Sequence, residues 1–450
     1  MTEKKTEKKK EPNTKQPSRR DFIKKSSIMV ASGAVASNLN IAKAAHPFGS
    51  DTIKIGMVGC GGRGTGAIVQ ALNTKGGGLQ LTAMADAFAD RLQGSHRAVK
   101  SKHNDKVVVT KDQQFVGFDA YKNVLESDAD LVILATPPGF RPLHFEAAVA
   151  AGKNVFMEKP VAVDAPGVRR VLAAAKVAKE KGLSVQVGLQ RRHEVAYKET
   201  IGQLQGGAIG DINLMRAYWN GGGVWVRPRQ ESQTELEYQM RNWYYFNWLC
   251  GDHIDEQHIH NLDVINWLKE GFPVSAQGQG GREVRDGKDH GQIYDHHFVE
   301  YTYGDGSKLF SQCRHIRNCW NSVSEHAHGS KGYADIGGGK IYNAKGEMTW
   351  RTKGKRGGHQ EEHHDLFREL RAGRIPNEAE YGAKSTMTSI LGRMASYSGK
   401  MIKWDDAINS PHSLADVDSM KTYDGEAPVK PDADGNYPIP KPGTTKPLEA

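Results

Sequence analysis

The chain has 450 residues, 38% of them hydrophobic and 25% charged, with a mean hydropathy of −0.60; this predicts two domains with room for large cores and excludes a low-complexity or collagen-like chain. The formal charge of +9 sits mostly at the start: residues 1–44 hold 11 Lys and Arg against 4 Asp and Glu, leaving 50 against 48 in the rest, so no nucleic-acid footprint is expected. The four cysteines, Cys60, Cys250, Cys313 and Cys319, form no C-x-x-C pair, which argues against a thiolate zinc site.

Residues 1–17 are polar and rich in Lys and Glu, a composition expected to be disordered. Ser18–Lys25 reads SRRDFIKK, and a weakly apolar segment then runs to Ile41 and ends in Ala42-Lys43-Ala44. Twin arginines, a short weak core and a small-x-small ending resemble a bacterial twin-arginine export signal. Residues 1–44 are therefore expected to be a leader, and the protein to be exported, as to a periplasm. The apolar segment is too short for a membrane span, and no other stretch approaches 18 apolar residues.

From Ile53 the pattern changes. Ile53–Val58 reads as a buried strand, and Gly59, Gly61 and Gly64 follow in the spacing G-x-G-x-x-G before a helix expected from Thr65. The first glycine permits a tight turn, the second lets backbone approach a pyrophosphate, and the third lets helix pack on strand. The helix N-terminus then offers unpaired N–H groups to the phosphates. Gly62 and Arg63 are assigned to the cofactor with these glycines. A second strand, Leu79–Ala85, ends in Asp86, 22 residues beyond Gly64 and close to the ~20 expected for a carboxylate that binds a ribose 2′-hydroxyl. Asp86 favours NAD over NADP, because a 2′-phosphate would face a carboxylate.

A helix is expected over Ala89–Lys102 and a buried strand over Leu131–Ala135, which stops at Thr136-Pro137-Pro138. His144 opens the next helix; Asn154–Met157 is the next strand, with Glu158-Lys159-Pro160 at its end. This alternation predicts a parallel sheet covered on both faces, binding its ligand at the carboxyl ends of the strands. Thr136, Pro137, His144, Glu158, Lys159 and Pro160 are placed beside the cofactor on that ground. Farther along, Gly210–Trp219, Ile293–Tyr303 and Lys308–His315 alternate like strands, and Gly304-Asp305-Gly306 reads as a hairpin turn. Another strand-like piece starts at Trp350, and helices are expected over Glu361–Arg371 and Ala383–Gly399. From Glu426 the chain is rich in Pro, Asp and Gly, as in an extended arm or a disordered tail.

The glycine loop, Ala135-Thr136-Pro137-Pro138, Glu158-Lys159-Pro160 and the run VQVGLQRRH, Val185 to His193, occur in that order. Together they resemble the Gfo/Idh/MocA oxidoreductases, over about Asp51 to Asn409. The resemblance implies an α/β protein: an N-terminal Rossmann domain with a parallel sheet, here residues 51–188, then an α/β domain with a large open, mostly antiparallel sheet, here residues 189–410. Residues 411–450 are expected, from the composition above and not from the resemblance, to form an extended tail. The resemblance further implies NAD as cofactor, a carbohydrate substrate, and a dimer or tetramer through the open sheet.

Lys159 takes the catalytic role that the resemblance assigns to the lysine of the Glu-Lys-Pro motif. Desolvation can lower the pKa of such a lysine, which can then help move a hydroxyl proton. Gly251–Trp267 reads GDHIDEQHIHNLDVINW, and His260, Asp263 and Trp267 match the family spacing, with Glu256 where an Asp is usual. On one helix Glu256, His260 and Asp263 fall on one face, and a His beside a carboxylate is poised to act as general base. Lys159, His260 and Glu256 are therefore assigned to catalysis. The cluster His253, Asp255, Glu256, His258 and His260 can also be read as ligands for Zn²⁺ or a similar ion, but hydride chemistry needs none and no metal is assigned. Arg192, His258, Asp263 and Trp243 are the substrate candidates; Trp243 belongs to an aromatic-rich stretch from Tyr218 to Trp248 suited to the apolar face of a pyranose. His296, His297, His363 and His364 are further cleft candidates.

The expected function is an exported oxidoreductase that transfers hydride between tightly bound NAD and a sugar, glycoside or polyol. An NAD-dependent glycosidase or lyase working through transient ring oxidation stays open, as does a non-catalytic sugar-binding protein.

Overall fold

Ile53–Val58 (β1) is buried along its length apart from Lys54, as befits a strand covered on both faces. The computed structural model describes residues 52–355 and 357–450, so the expected leader lies outside the described residues. Strands Leu79–Asp86 (β2), Gln114–Val116 (β3), Leu131–Leu134 (β4), Asn154–Met157 (β5) and Val185–Val187 (β6) join β1. Among the described residues they make a six-stranded parallel sheet in the order β3-β2-β1-β4-β5-β6. Helices Gly62–Leu72, Ala89–Lys102 and Gly358–Arg371 pack apolar side chains on one face; Ala120–Glu126, Arg141–Ala150 and Ala165–Glu180 cover the other. The order reverses between β2 and β4 around β1, the point at which an open sheet offers a crevice for ligands.

The second sheet holds Ile212–Gly221 (β7), Ser275–Gly281 (β8), His296–Thr302 (β9), Lys308–His315 (β10), Ser322–Gly329 (β11), Gly332–Asp335 (β12), Lys340–Asn343 (β13), Met348–Arg351 (β14) and Ile402–Lys403 (β15). Its order is β14-β13-β12-β11-β7-β10-β9-β8-β15, and every pairing is antiparallel except β7 with β10. The fold class is thus the expected one, a parallel Rossmann sheet followed by a large, mostly antiparallel sheet. The hairpin β9–β10 turns at Gly304–Gly306, where Asp305 Oδ1 accepts from the Ser307 amide at 3.1 Å.

One helix ties the two sheets together. Ala379–Ser398 is buried on nearly every side, and its hydroxyls point inward to polar partners. Thr386 Oγ1 accepts from the Val161 amide at 3.2 Å, Ser385 donates to Asp263 at 2.7 Å, and Tyr397 donates to Asp252 at 2.5 Å. A helix this polar stays buried because each of these groups finds a partner. Residues 411–450 have little regular structure but lie against the body: Arg170 bonds both oxygens of Asp418 at 2.7 and 2.9 Å, and Tyr423 stacks on Phe88 with centroids 5.3 Å apart.

Several local expectations change: the helices expected to open at His144, Glu361 and Ala383 begin at Arg141, Gly358 and Ala379. The helix expected from Thr65 begins at Gly62, one turn earlier. The single helix expected through Glu256, His260 and Asp263 is two helices, His253–Glu256 and Ile259–Lys269, with the break at Gln257 and His258.

Candidate functional site

A cleft of about 640 Å³ opens at the carboxyl end of the parallel sheet. The glycine loop forms its floor, and each glycine has a separate reason. Gly59 has φ +97°, and a Cβ there would lie 2.5 Å from the backbone of Ala135 and Thr136. A Cβ on Gly64 would lie 2.0 Å from the Gly59 carbonyl oxygen, so Gly64 serves helix packing and does not line the cleft. Gly61 and Gly62 have open space above them and face the cleft. Gly62 is also the first residue of its helix, so the helix N-terminus points free N–H groups at that space. A pyrophosphate fits this cradle: backbone can approach it, and the helix end favours its charge.

Asp86 closes the loop from the side. Its Oδ2 accepts from the Cys60 amide at 2.6 Å and its Oδ1 from the Phe88 amide at 2.8 Å. Burial raises its pKa, and the two amides partly offset that. Phe88, Arg91, Gly117 and Phe118 line the cleft with it, and Tyr121 lines it farther along, packed on His144 with centroids 4.4 Å apart. Arg241, from beyond β7, lies over the Phe88 ring at 4.0 Å and reaches Asp90 at 3.2 Å. Residues 222–241 form an insert after β7, and Arg227 and Trp225 line the cleft from it.

At the other end the strand termini are fixed by a residue that the sequence reading passed over. Arg141 is buried; its guanidinium donates to the carbonyls of Thr136 at 2.6 Å and Glu158 at 3.0 Å. It thereby clamps the ends of β4 and β5 together, and burial lowers its pKa to about 10. His144 Nδ1 lies 3.1 Å from Thr136 Oγ1, and burial holds this imidazole neutral, at about 3. Arg63 bridges Glu158 at 2.5 Å and Glu362 at 3.2 Å. Thr136, Pro137, His144, Glu158 and Arg63 all line the cleft, whereas Pro160 does not.

Lys159 meets Glu256 here. Its Nζ lies 3.0 Å from Oε1 and also donates to the Glu256 backbone carbonyl. Burial raises the Glu256 pKa, with Lys159 opposing. His260 lines the same wall, its ring stacked on Trp219 with centroids 5.9 Å apart. Among the described residues its buried Nδ1 has no hydrogen-bond partner. The expected carboxylate beside it is absent: Glu256 goes to Lys159, and Asp263 takes Arg192 at 2.8 Å on both oxygens. The break in the helix is the reason. Burial, with Lys159 and Arg191 nearby, holds His260 neutral, well below the ordinary imidazole range.

The substrate candidates divide. Trp243 lines the cleft; Arg192, His258 and Asp263 do not. Arg192, partly exposed, pairs with buried Asp263, its guanidinium lying 3.9 Å from the Tyr381 ring centroid. His258 is buried with its Nε2 2.7 Å from Ser311 Oγ. His297 bonds Asp252 at 3.2 Å, His296 bonds Asp295 at 2.7 Å, and His363 packs on Phe156; neither these nor His364 lines the cleft. The five residues weighed as metal ligands point apart. A different trio, Asp252, His253 and His297, places its ligand atoms within 4.8 Å of one another, but hydrogen bonds already link them. Trp219 reaches the cleft wall from the aromatic-rich stretch; besides Arg141, Gln190, Gln257 and His359 also line it although no role was expected of them, Gln190 lying inside the Val185–His193 run and Gln257 inside Gly251–Trp267.

Comparison with known proteins identifies the first domain. The oxidoreductase family with an NAD-binding Rossmann fold matches residues 53–189. An inositol 2-dehydrogenase of Gluconacetobacter diazotrophicus is 29% identical over 226 residues, half of this chain. The chain spans 57% of that relative's length. Among solved structures, levoglucosan dehydrogenase in complex with NADH and levoglucosan superposes with a TM-score of 0.61 at 15% identity, covering 78% of this chain and 99% of the other. The scyllo-inositol dehydrogenase of Lactobacillus casei, with NAD(H) and scyllo-inositol bound, gives 0.60 at 20% identity over 79% and 100%. These two likenesses show the fold.

Proposed function

We propose, from the premise that residues 53–189 are the NAD-binding Rossmann domain of a Gfo/Idh/MocA oxidoreductase, that this chain is an exported enzyme that moves hydride between tightly bound NAD and a hydroxyl or keto carbon of a sugar or polyol. One observation carries the reading. The cleft that opens on Gly59–Arg63 and Asp86 is lined at its other end by Lys159, Glu256 and His260. Glycosidic and polyol relatives of this fold make a carbohydrate the natural occupant, and Trp219, Trp225 and Trp243 supply flat apolar walls for it.

Gly59–Arg63 would hold the pyrophosphate and Asp86 a ribose, and the nicotinamide, when bound, supplies the hydride acceptor. The chain's own groups handle the proton. Neutral His260 offers a ring nitrogen to take a proton from a sugar hydroxyl. The Lys159 ammonium donates to the same oxygen and stabilises the charge that grows on it. Glu256 holds that ammonium in place, and Arg141 fixes the strand ends that carry Thr136 and Lys159.

Tight binding is supported by the enclosure at the Asp86 end, where Tyr423 of the tail and Arg241 of the insert both cover Phe88. A nucleotide held this way is recycled on the protein by a second sugar. The twin arginines of the leader support export of the folded, loaded protein. Phe298, Val323 and Met348 are exposed on strands of the second sheet and support association there.

The test is mass spectrometry of the native protein for co-purified nucleotide, then turnover of myo-inositol, scyllo-inositol, levoglucosan and aldoses followed by the near-UV absorbance of reduced nicotinamide. A protein that neither carries NAD nor takes it up would overturn the reading. Glycoside cleavage without net reduction would move it to the lyase reaction.

A further inference from the structure

Gln257 sits in the break between the two short helices and lines the cleft beside Glu256. Its Oε1 lies 2.8 Å from Nε2 of His315. The sense of that bond is fixed from behind. His315 Nδ1 lies 2.7 Å from NH2 of Arg285, and a guanidinium only donates. Nδ1 therefore carries the lone pair and Nε2 the hydrogen. Nε2–H needs an acceptor, so the amide of Gln257 turns its oxygen inward.

The relay is built into the core. His315 and Arg285 are both buried, and Arg285 also donates to the Tyr294 carbonyl. The His315 ring stacks on His253 at 4.3 Å and on Tyr244 at 6.1 Å. Burial, with His253 and Arg285 adjacent, keeps His315 neutral, far below the usual imidazole range. The –NH2 of Gln257 has no partner among the described residues and is left to the cleft. Next to it, Glu256 presents a carboxylate, which only accepts.

We infer that Gln257 is a specificity-determining residue: Arg285 and His315 lock its amide so that two N–H groups face the sugar and bind an acceptor oxygen there. The inference rests on the cleft being the sugar site proposed above. With Glu256 accepting and Gln257 donating, adjacent residues read the two halves of hydroxyl chemistry, as a polyol or pyranose offers. His315 and Arg285 are positioning residues that act through Gln257.

Gln257→Glu tests it, because the new carboxylate keeps the bond from His315 but replaces N–H2 by an acceptor. The probe is the panel sugar that NADH-loaded, unaltered protein binds most tightly by calorimetry, or turns over. The expected result is a Kd or KM for that sugar raised at least about tenfold, NADH affinity within about twofold, and a smaller change in kcat. Gln257→Met, similar in size and apolar, should give the same loss should the glutamate variant not fold. His315→Gln should raise KM less, about threefold, by freeing the amide to turn. An unchanged sugar Kd in both Gln257 variants overturns the inference and leaves the proposed function standing. Loss of NADH binding with Gln257→Glu also overturns it. If the unaltered, NADH-loaded protein binds no panel sugar, the proposed function falls and the inference with it.

Discussion

Lys159 and Glu256 form a nearly enclosed ion pair, 3.0 Å between Nζ and Oε1, with side chains only 12% and 14% exposed. One comes from the end of β5 and the other from the end of the helix His253–Glu256, so the pair joins the parallel sheet to the second half of the chain at the cleft. A charge placed there acts on whatever oxygen the cleft holds. Lys159→Ala should lower kcat by about 10²–10⁴ while the bound nucleotide is retained. Glu256→Gln keeps a hydrogen bond but removes the charge, and should cost less, about 10-fold. Single-turnover kinetics with nucleotide occupancy measured on the same sample check both. Loss of nucleotide in parallel with kcat would remove Lys159 from the chemistry.

Asp86 does two jobs, holding the Cys60 and Phe88 amides and presenting a carboxylate to the cleft. Arg91 lines the cleft at the same end. Asp86→Ser keeps a short acceptor for the amides and removes the charge. It should weaken NADH at least about 10-fold and raise the relative use of NADPH, since Arg91 then faces a 2′-phosphate with no carboxylate opposed to it. The ratio of kcat/KM for the two cofactors measures the change. An unchanged ratio would place the ribose elsewhere.

The parts of this site that are contiguous in sequence were legible there. A strand, three spaced glycines and a helix are enough to place Gly59–Gly64, and the spacing to Asp86 follows from one βαβ unit. Lys159 was legible for the same reason, at a strand end marked by Pro160. The second half was less so. Strand β11 is polar, with Ser322, Glu325 and His326 among its residues, and takes its place beside β7, far away in the chain, while β12 and β13 have only four residues each. The spacing of Glu256, His260 and Asp263 suits one helix, but the chain breaks at Gln257, so His260 turns to the cleft while Asp263 turns to Arg192. Arg141 and Gln257 gain their roles from partners brought in by the fold, Glu158 and His315, which no periodicity announces.

Several buried imidazoles make stability depend on acidity. Burial holds His144 and His258 at about 3 and His253 at about 4, and lowers His260, His315 and His363 as well. The unfolded chain protonates these rings below about pH 6.5, whereas the folded chain resists. Unfolding therefore takes up protons below that point, and stability falls as pH drops, by up to about 1.4 kcal/mol per pH unit for each ring. His193 runs the other way. Burial pulls it down, but the bond to Asp365 and the nearby Glu378 carboxylate outweigh this and raise it to about 9, so its contribution is complete below about pH 6.5 and is lost progressively as pH rises from there through about 9. The urea midpoint should peak near pH 7 and fall more steeply toward about pH 5 than toward about pH 9. A flat profile on the acid side would contradict the burial of these rings.

The tail gives the last prediction. Tyr423 stacks on Phe88 at 5.3 Å, packs on Phe118 at 5.1 Å and donates to the Ala87 carbonyl, while its own carbonyl accepts from Thr234 at 2.6 Å. Phe88 and Phe118 line the cleft at the Asp86 end, so Tyr423 buttresses the wall there without reaching the ligand itself. The insert contributes from the opposite side through Arg241, which is held by Glu237 at 2.9 Å and by Asp90 at 3.2 Å. Tyr423→Ala removes the stacked ring and should speed NADH release by about 10-fold or more, which corresponds to about 1.4 kcal/mol, with little change in turnover when NAD is supplied in excess. Tyr423→Phe keeps the ring and loses only the bond to Ala87, so most of the retention should return. The measurement is the loss of reduced-nicotinamide fluorescence on dilution into excess NAD. If Tyr423→Ala releases NADH at the rate of the unaltered protein, the tail plays no part in holding the cofactor, and its packing on Phe88 serves stability alone.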